Sequence, residues 1–482
     1  MVFGLSRKNT ATDEAPVTTT ASSSTAADTD TNGASSTERP STAASTASST
    51  PTADASNNGA PLKAKEELAQ AAAMDGQTPS DTSKLKTFLM ILKRFIGVTD
   101  IAAVRFSLPA QLMEPIPNLE YWHYLDRPET FASIGDASEP LERMLGCLRF
   151  WFTKDLKYVK GKPCKPYNSS LGEFFRCTWE VDSEKNKEGK PVKVNYITEQ
   201  TSHHPPVSAF VYDCPDKGVE AVGYDQLSAK FTGTSVKVTP GQYNRGIFIR
   251  LKNWDNEEYQ LTHPAAFLGG FLRGNLYISV ADTCYVSCEK TGIKTILHYL
   301  EEGYFGKTQN KVEGIVYKPT DFAADTTSKL KDVPKDQILG RIEGVWTEKI
   351  YFTYGATEFK KVPESERVLL MDVTPLLPVQ KKCPPDEQQL PNESRKFWSQ
   401  VTEYIQSKQF AQATTKKQQL EEKQRQRAQE REQAGKTWHP RFFATVTEKD
   451  GRAILSQEGK DAMDGMQKEE YALKPPEEYG AL

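Results

Sequence analysis

The chain has 482 residues, 37% of them hydrophobic, and a formal net charge of −3; that is too long for one average domain and fits one large β domain with a tail. Without a basic excess to neutralise phosphates, nucleic acid is excluded as the main partner. No apolar run approaches the length of a membrane-spanning helix, and the N-terminus has neither a signal-peptide core nor a glycine at position two, so membrane contact is expected to be peripheral.

From Asn9 to Gln77 the chain is Ser, Thr, Ala, Asp and Asn with isolated prolines. Such a segment buries too little apolar surface to offset its ordering entropy, so residues 1–80 are expected to form a disordered tail. It reads either as a phosphorylatable tether or as a solvated segment with no specific role. Ser80 to Ser83 then offer helix caps, and Leu85, Phe88, Leu89, Leu92, Phe95 and Ile96 follow at helical spacing. Lys84, Lys86, Lys93 and Arg94 lie around them, and Gly97 supplies a stop. The spacing predicts a short, basic, amphipathic helix within residues 81–110. It is either packed on a core or serves as a lid or membrane-surface helix, because apolar and basic faces together suit an anionic bilayer.

Between Leu119 and Val159, Glu120-Tyr121-Trp122, the run Pro140 to Leu145, and Trp151 with Phe152 predict a helical subdomain. From Phe174 to Trp346 the chain reads as many strands, among them 174–179, 192–197, 207–212, 223–231, 246–251, 275–280 and 342–346. Gly, Asn, Asp and Pro punctuate them, and no βαβ rhythm appears, which predicts an antiparallel barrel or sandwich. The seven cysteines are scattered without a Cys-x-x-Cys pair, which argues against a zinc ribbon or redox dithiol and for a reducing compartment. Cys284 and Cys288, four apart on one strand, would face the same side as buried free thiols.

Two adjacent histidines, His203 and His204, lie on the connection between the strands 192–197 and 207–212, inside Glu199-Gln200-Thr201-Ser202-His203-His204-Pro205-Pro206. The prolines restrict the backbone before them and stiffen the segment. Each imidazole donates one hydrogen bond when neutral and two when charged, and a nearby anion favours the charged form. Further on, Asp225 in Tyr224-Asp225-Gln226 must be paired or hydrated, because a buried unpaired carboxylate is costly. A Pro-rich stretch from Pro375 to Pro391 leads out of the strands, and Glu393 to Trp398 opens a helical tail. From Phe410 to Ala434 the chain is polar and helix-favouring, with Lys417, Glu421 and Arg425 four apart on one face. Alone, that run reads as a solvated, ion-paired helix. The final acidic segment is expected to be loose.

The octapeptide 199–206, with Thr201 in its variable place, resembles the signature of the oxysterol-binding-protein-related lipid-transfer family. Lys165-Pro166-Tyr167-Asn168-Ser169-Ser170-Leu171-Gly172-Glu173 resembles the family's second motif, with Ser169 where proline is usual. Leu108-Pro109, the Lys417, Glu421 and Arg425 pattern, and Trp438 to Phe443 are similar to family segments too, so the resemblance spans about Lys84 to Phe443. It implies a mainly β fold with helices, a large incompletely closed antiparallel β-barrel around a lipid tunnel. A lid would use Leu85, Phe88, Leu89, Leu92, Phe95 and Leu108. Residues 111–392 would form the helical subdomain and barrel, and the helical tail 393–482 would complete a headgroup site. The form expected is the short one, as in fungal homologues, carrying the lipid-binding domain alone.

The resemblance further implies a lipid-transfer protein, not an enzyme, with no catalytic residues, metal or cofactor. Lys165, Asn168, His203, His204, Lys417, Glu421 and Arg425 would bind phosphatidylinositol 4-phosphate, which is exchanged for a second lipid in the same tunnel. Relatives that carry phosphatidylserine have Arg-Ser where this chain has Ile116-Pro117, which favours sterol. Phe175-Arg176-Cys177 and Arg425-Gln426-Arg427 look closer to the phosphatidylserine branch, so both lipids stay open, as does a sensor that binds without moving lipid. As acid–base groups or metal ligands the histidines lack a third ligand at suitable spacing and a nucleophile motif. The chain is expected in the cytoplasm, transiently at anionic membranes of the endoplasmic reticulum, Golgi or plasma membrane.

Overall fold

The computed structural model describes residues 81–101, 110–160, 165–271, 276–300 and 310–475. The expected N-terminal tail and the Leu108-Pro109 motif lie outside them. So does the Leu85 side chain, although Leu85 itself is on a helix.

Among the described residues there are fifteen strands, antiparallel wherever they pair in the ladder. They are β1 (Phe174–Lys185), β2 (Pro191–His203), β3 (Pro206–Cys214), β4 (Val219–Asp225), β5 (Leu227–Phe231), β6 (Val236–Pro240), β7 (Ile247–Leu251) and β8 (Glu257–Leu261). Then come β9 (Ala265–Gly269), β10 (Tyr277–Cys288), β11 (Ile293–Tyr299), β12 (Lys311–Tyr317), β13 (Ile338–Val345), β14 (Lys349–Tyr354) and β15 (Val368–Asp372). The main path runs β1-β2-β3-β4-β7-β8-β10-β11-β12-β13-β14-β15, and its two end strands do not pair, so the curled sheet is not closed. A flap of β5, β6 and β9 joins through the first half of β10. At Asp282, where φ is 72°, β10 passes from the flap into the main sheet. The expected strand 223–231 divides at Gln226, its two halves serving the main sheet and the flap. The sheet also continues beyond Trp346 into β14 and β15.

The α-helices among the described residues are α1 (Asp81–Lys93), α2 (Asn118–Tyr121), α3 (Pro128–Ala132), α4 (Pro140–Thr153), α5 (Leu156–Lys160), α6 (Ser394–Gln406), α7 (Phe410–Gln433) and α8 (Gln457–Lys468). The one helical region expected between Leu119 and Val159 is thus four helices. Its main helix, α4, has Pro140 at its first position and Glu142 in its first turn, which suit a helix start. Met144, Leu145, Leu148, Trp151 and Phe152 then give it a buried stripe.

Alternation along the strands sets the layers. Phe175, Cys177 and Trp179 of β1, Val194 and Tyr196 of β2, Phe210 and Tyr212 of β3, and Cys284 and Cys288 of β10 face one continuous core with α2 to α4. The opposite face of β1 to β4 carries Phe174, Ile197, Val207, Ala209, Val211 and Tyr224, and the C-terminal tail covers it with Phe442, Phe443, Ala462, Met463 and Met466. With both faces covered, β2 and β3 are buried almost without interruption.

Two expectations need correction. The final segment is not loose: Ser456 caps α8 by accepting the Gly459 N–H, and Ala462, Met463 and Met466 are buried at helical spacing on the sheet. Acidic composition concealed this because the charges occupy the outer face of α8. Ile96 does not share the buried lid face, because α1 ends at Lys93 and the turns that follow leave Ile96 63% exposed.

Met466→Ala is expected to destabilise the chain by about 2–5 kcal/mol, as for other buried large-to-small changes. Denaturant unfolding measures this, and a docked tail is contradicted by an effect within about 0.5 kcal/mol, the range of exposed positions.

Candidate functional site

The histidines sit where β2 turns into β3, in a hairpin that pairs His203 with Pro206. Both are exposed, with ring centroids 4.5 Å apart and planes inclined by 64°. The His204–Pro205 peptide is cis. A register shift between Gln200 and Ser202 bends the end of β2. Local side chains hold that end: the Gln200 amide donates to the Ser202 carbonyl at 2.7 Å, and buried Thr201 donates to Val207 at 3.4 Å.

The Lys165–Glu173 loop runs beside that hairpin. Gly172 N–H donates to the Gln200 carbonyl at 3.0 Å, and Gln200 N–H donates to the Glu173 carbonyl at 2.8 Å. Gly172 has φ of +73°, which glycine adopts without a Cβ penalty. Within the loop, Lys165 Nζ donates to Asn168 Oδ1 at 2.6 Å and to the Pro166 carbonyl at 3.1 Å. Tyr167 stacks on Trp398 of α6 at 4.8 Å, and its hydroxyl lies 3.1 Å from that of Thr402. Ser169 is buried rather than turned out to solvent.

Helix α7 packs on α6, and Ala413 and Leu420 reach the cluster of Tyr167, Trp398, Ala110 and Met113. Lys417 lies on that same covered face, its side chain only 4% exposed, and pairs with Glu421 at 2.9 Å. Arg425 lies further along: it is 59% exposed and pairs with Glu422 at 2.6 Å instead of Glu421. The structure therefore joins Lys165 to Asn168, His203 to His204, and Lys417 to Glu421. The loop bearing Lys165 and Tyr167 links the hairpin to the two helices.

Buried carboxylates fix these pieces. Glu173 accepts from Ser170 N–H at 2.9 Å, the Ser394 hydroxyl at 2.7 Å and Trp398 Nε1 at 3.1 Å. Glu199 accepts from the backbone N–H groups of Arg441 and Phe442 at 2.9 and 2.8 Å. Burial pushes both carboxyls up to about 7, against donors that pull them down. Chemically, the exposed imidazoles and the two lysines offer donors and positive charge suited to an anionic group with several oxygens.

The oxysterol-binding protein family model matches residues 87–464. The chain is 40% identical to oxysterol-binding protein-like protein 1 of Schizosaccharomyces pombe over 81% of its own length and 92% of that relative's. This chain belongs to the oxysterol-binding protein family. Two solved structures share the fold: the Osh1 ORD domain in complex with ergosterol, with a TM-score of 0.61, 19% identity, and 83% of this chain and 90% of that one covered; and the Osh3 ORD from Saccharomyces cerevisiae in complex with PI(4)P, with a TM-score of 0.54, 17% identity, and coverage of 80% and 95%. No described helix is long and apolar enough to cross a membrane.

This oxysterol-binding protein family member carries a second polar group that the sequence did not reveal. Tyr124 donates to Asp225 at 2.5 Å and stacks on His263 at 5.2 Å, with rings inclined by 26°. Lys154 lies over the rings of Tyr124 and Trp151, at 4.7 and 4.5 Å, and is paired with Asp155. These residues come from separate elements, so no spacing could have grouped them. Asp225, half-buried, is thus paired. Burial pushes its carboxyl up to about 7, with the Tyr124 hydrogen bond opposing. Burial holds His263 down at about 3, and so neutral.

The sign of the resulting pH dependence is fixed. Between the ordinary value of 3.8 and about 7, the folded chain holds a proton on Asp225 that the unfolded chain has lost. Stability from this group therefore falls as pH rises through that window. Asp225→Asn keeps an acceptor for Tyr124 without the charge. Thermal unfolding is expected to give the variant a higher midpoint than the parent above pH 7, by a margin that disappears near pH 4. A margin independent of pH contradicts this origin.

Proposed function

We propose that the chain extracts phosphatidylinositol 4-phosphate and a second lipid, sterol, from membranes, holds them in turn inside the curled sheet, and exchanges them between bilayers. The observation that carries this reading is Lys417. A helix as polar as α7 has no packing reason to bury a lysine, yet this one is buried beside Glu421, on the helix that sets Ala413 and Leu420 in the cluster of Tyr167. A headgroup phosphate between that lysine and the exposed histidines gains charge-assisted hydrogen bonds from both sides. Glu421 then orients Lys417 or accepts from inositol hydroxyls, and Arg425 is near enough along the helix to leave Glu422 for the ligand. The complex of the related Osh3 domain with PI(4)P supports the headgroup assignment.

The acyl chains need an apolar enclosure, since each methylene removed from a bilayer costs roughly 0.8 kcal/mol in water. The curled sheet supplies the enclosure, with α1 as its lid: Phe88, Leu89, Leu92 and Phe95 pack on the flap with Phe231, Val236 and Phe271. For the second lipid, the pair of Tyr124 and Asp225 offers a hydroxyl partner, and the related Osh1 domain is found with ergosterol. Phosphatidylserine is the second reading, carried by the likeness of Phe175-Arg176-Cys177 to that branch. Arg176 is fully buried and bound to Glu393 at 3.1 Å. The activity is transfer without catalysis, in the cytoplasm and at the surfaces of its donor and acceptor membranes.

Extraction from liposomes tests the reading. His203→Ala with His204→Ala is expected to abolish phosphatidylinositol 4-phosphate extraction while sparing sterol, and undiminished extraction overturns the headgroup site. Lys417→Ala removes a charge-assisted bond worth roughly 1.5–3 kcal/mol and is expected to weaken headgroup binding about tenfold to a hundredfold. Combined with His204→Ala, its effect should be non-additive if both touch one phosphate. Strict additivity, or no effect of Lys417→Ala, separates α7 from the site.

A further inference from the structure

Cys177 and Cys383 lie more than two hundred residues apart in sequence, and the fold sets them opposite each other. β1 is an end strand of the main path, and the Pro-rich stretch runs along its free edge. Trp179 Nε1 donates to the Val379 carbonyl at 3.3 Å, and Phe174 N–H donates to the Asn392 carbonyl at 3.2 Å. Between these contacts Thr178 and Lys382 form an antiparallel bridge, each N–H donating to the other's carbonyl at 2.8 Å. A pair that exchanges both bonds is of the hydrogen-bonded type. The next pair along, Cys177 with Cys383, is therefore of the closer, non-hydrogen-bonded type, whose Cα atoms lie about 4.5 Å apart. A disulfide spans roughly 4.4–6.8 Å between Cα atoms. The two side chains also share a face. Thr178 bonds Asn195, which bonds Gln467 of α8, so the Thr178 side is the one the tail covers. Cys177 and Cys383 point the other way, into the core with Trp179.

Access separates this pair from the other thiols. Among the described residues Cys147, Cys177, Cys214, Cys284 and Cys288 are buried, while Cys383 is half-buried and within reach of solvent. The charged groups around Cys383 are Glu120 of α2, Lys381 of the Pro-rich stretch, Glu393 just beyond it and Arg395 of α6. Burial pushes the Cys383 thiol up to about 12, with Arg395 and Lys381 opposing. Burial also raises Cys177, and Cys383 raises it further, as a neighbouring thiol does. Little thiolate therefore exists at neutral pH, and the pair rests as a dithiol in a reducing compartment.

We propose that Cys177 and Cys383 form a modification site, oxidised by a peroxide to a disulfide that staples the Pro-rich stretch to β1. The Cys383 sulfur attacks one peroxide oxygen, the O–O bond breaks, and a sulfenic acid and water result. The Cys177 sulfur then attacks the Cys383 sulfur. The S–S bond forms, the S–O bond breaks, and a second water leaves with the Cys177 proton. The two thiols together lose two electrons, which the peroxide gains. The bond ties down the segment that leads into α6 and α7, and it needs no lipid.

Peptide mapping of the full chain tests the proposal. The reduced chain is treated with hydrogen peroxide, remaining thiols are blocked with iodoacetamide, and the digest is read without reductant. The expected product joins the peptides of Cys177 and Cys383, is lighter by two hydrogens and is undone by dithiothreitol. Below the thiol's own range its rate of formation is expected to rise about tenfold per pH unit, as thiolate becomes available. In Cys177→Ser the Cys383 sulfenic acid has no partner and is expected to be trapped by dimedone. Cys383→Ser, a near-isosteric change at a half-buried position, is expected to give neither product. The oxidised parent is expected to unfold at a midpoint higher by about 5 °C than the reduced one, because the bridge closes a long loop, and Cys383→Ser is expected to show no such shift. The proposal is overturned if peroxide leaves both thiols open to iodoacetamide, if it joins either of them to Cys164 or another cysteine, or if the bridged chain unfolds at an unchanged midpoint.

Discussion

The structure depends on buried carboxylates that fasten the C-terminal tail to the first two strands. Glu173 takes Ser394 and Trp398 of α6, Glu199 takes the backbone of Arg441 and Phe442, and Glu393 takes Arg176 from within β1. Burying a carboxylate is expensive unless donors satisfy it, and losing one donor leaves the charge exposed to that expense. Each carboxylate here meets several donors from a remote stretch of chain. The tail is therefore positioned by directional bonds, over and above the apolar contact of Phe442, Met463 and Met466 with the outer sheet face.

That fastening has a consequence for ligand binding. The histidine hairpin sits on β2 and β3, while Lys417 arrives more than two hundred residues later on a helix with little apolar surface of its own. Helix α7 reaches its place through α6, and α6 through Glu173, Trp398 and Tyr167. In the proposed headgroup site, geometry on the scale of one phosphate thus rests on contacts well away from it. Helix α1 belongs to the same arrangement, since Phe88 and Ile91 touch the α6–α7 cluster while Leu92 touches the flap.

Much of this was legible in the sequence. Alternation before and after the prolines gave the hairpin, the run of apolar residues from Phe88 to Phe95 gave helix α1, and the absence of a βαβ rhythm gave an antiparallel sheet. What stayed hidden depended on partners distant along the chain. Helix α8 looks acidic until the sheet face that receives Met463 and Met466 is known. The four-residue spacing put Lys417, Glu421 and Arg425 on one stripe, but only the first half of α7 is covered, so Arg425 turns to Glu422 in solvent. Ile96 fits a helical period that the chain abandons at Lys93. The group around Tyr124, Asp225, Lys154 and His263 gathers residues from several elements, and only the fold assembles it.

The central claim is that one enclosed space serves both lipids, with the headgroup cluster at its entrance. Native mass spectrometry of the chain, loaded first with sterol and then exposed to phosphatidylinositol 4-phosphate vesicles, tests it most directly. The account requires the sterol-bound mass to give way to the phosphoinositide-bound mass, one lipid per chain throughout. A species carrying both lipids at once would contradict it.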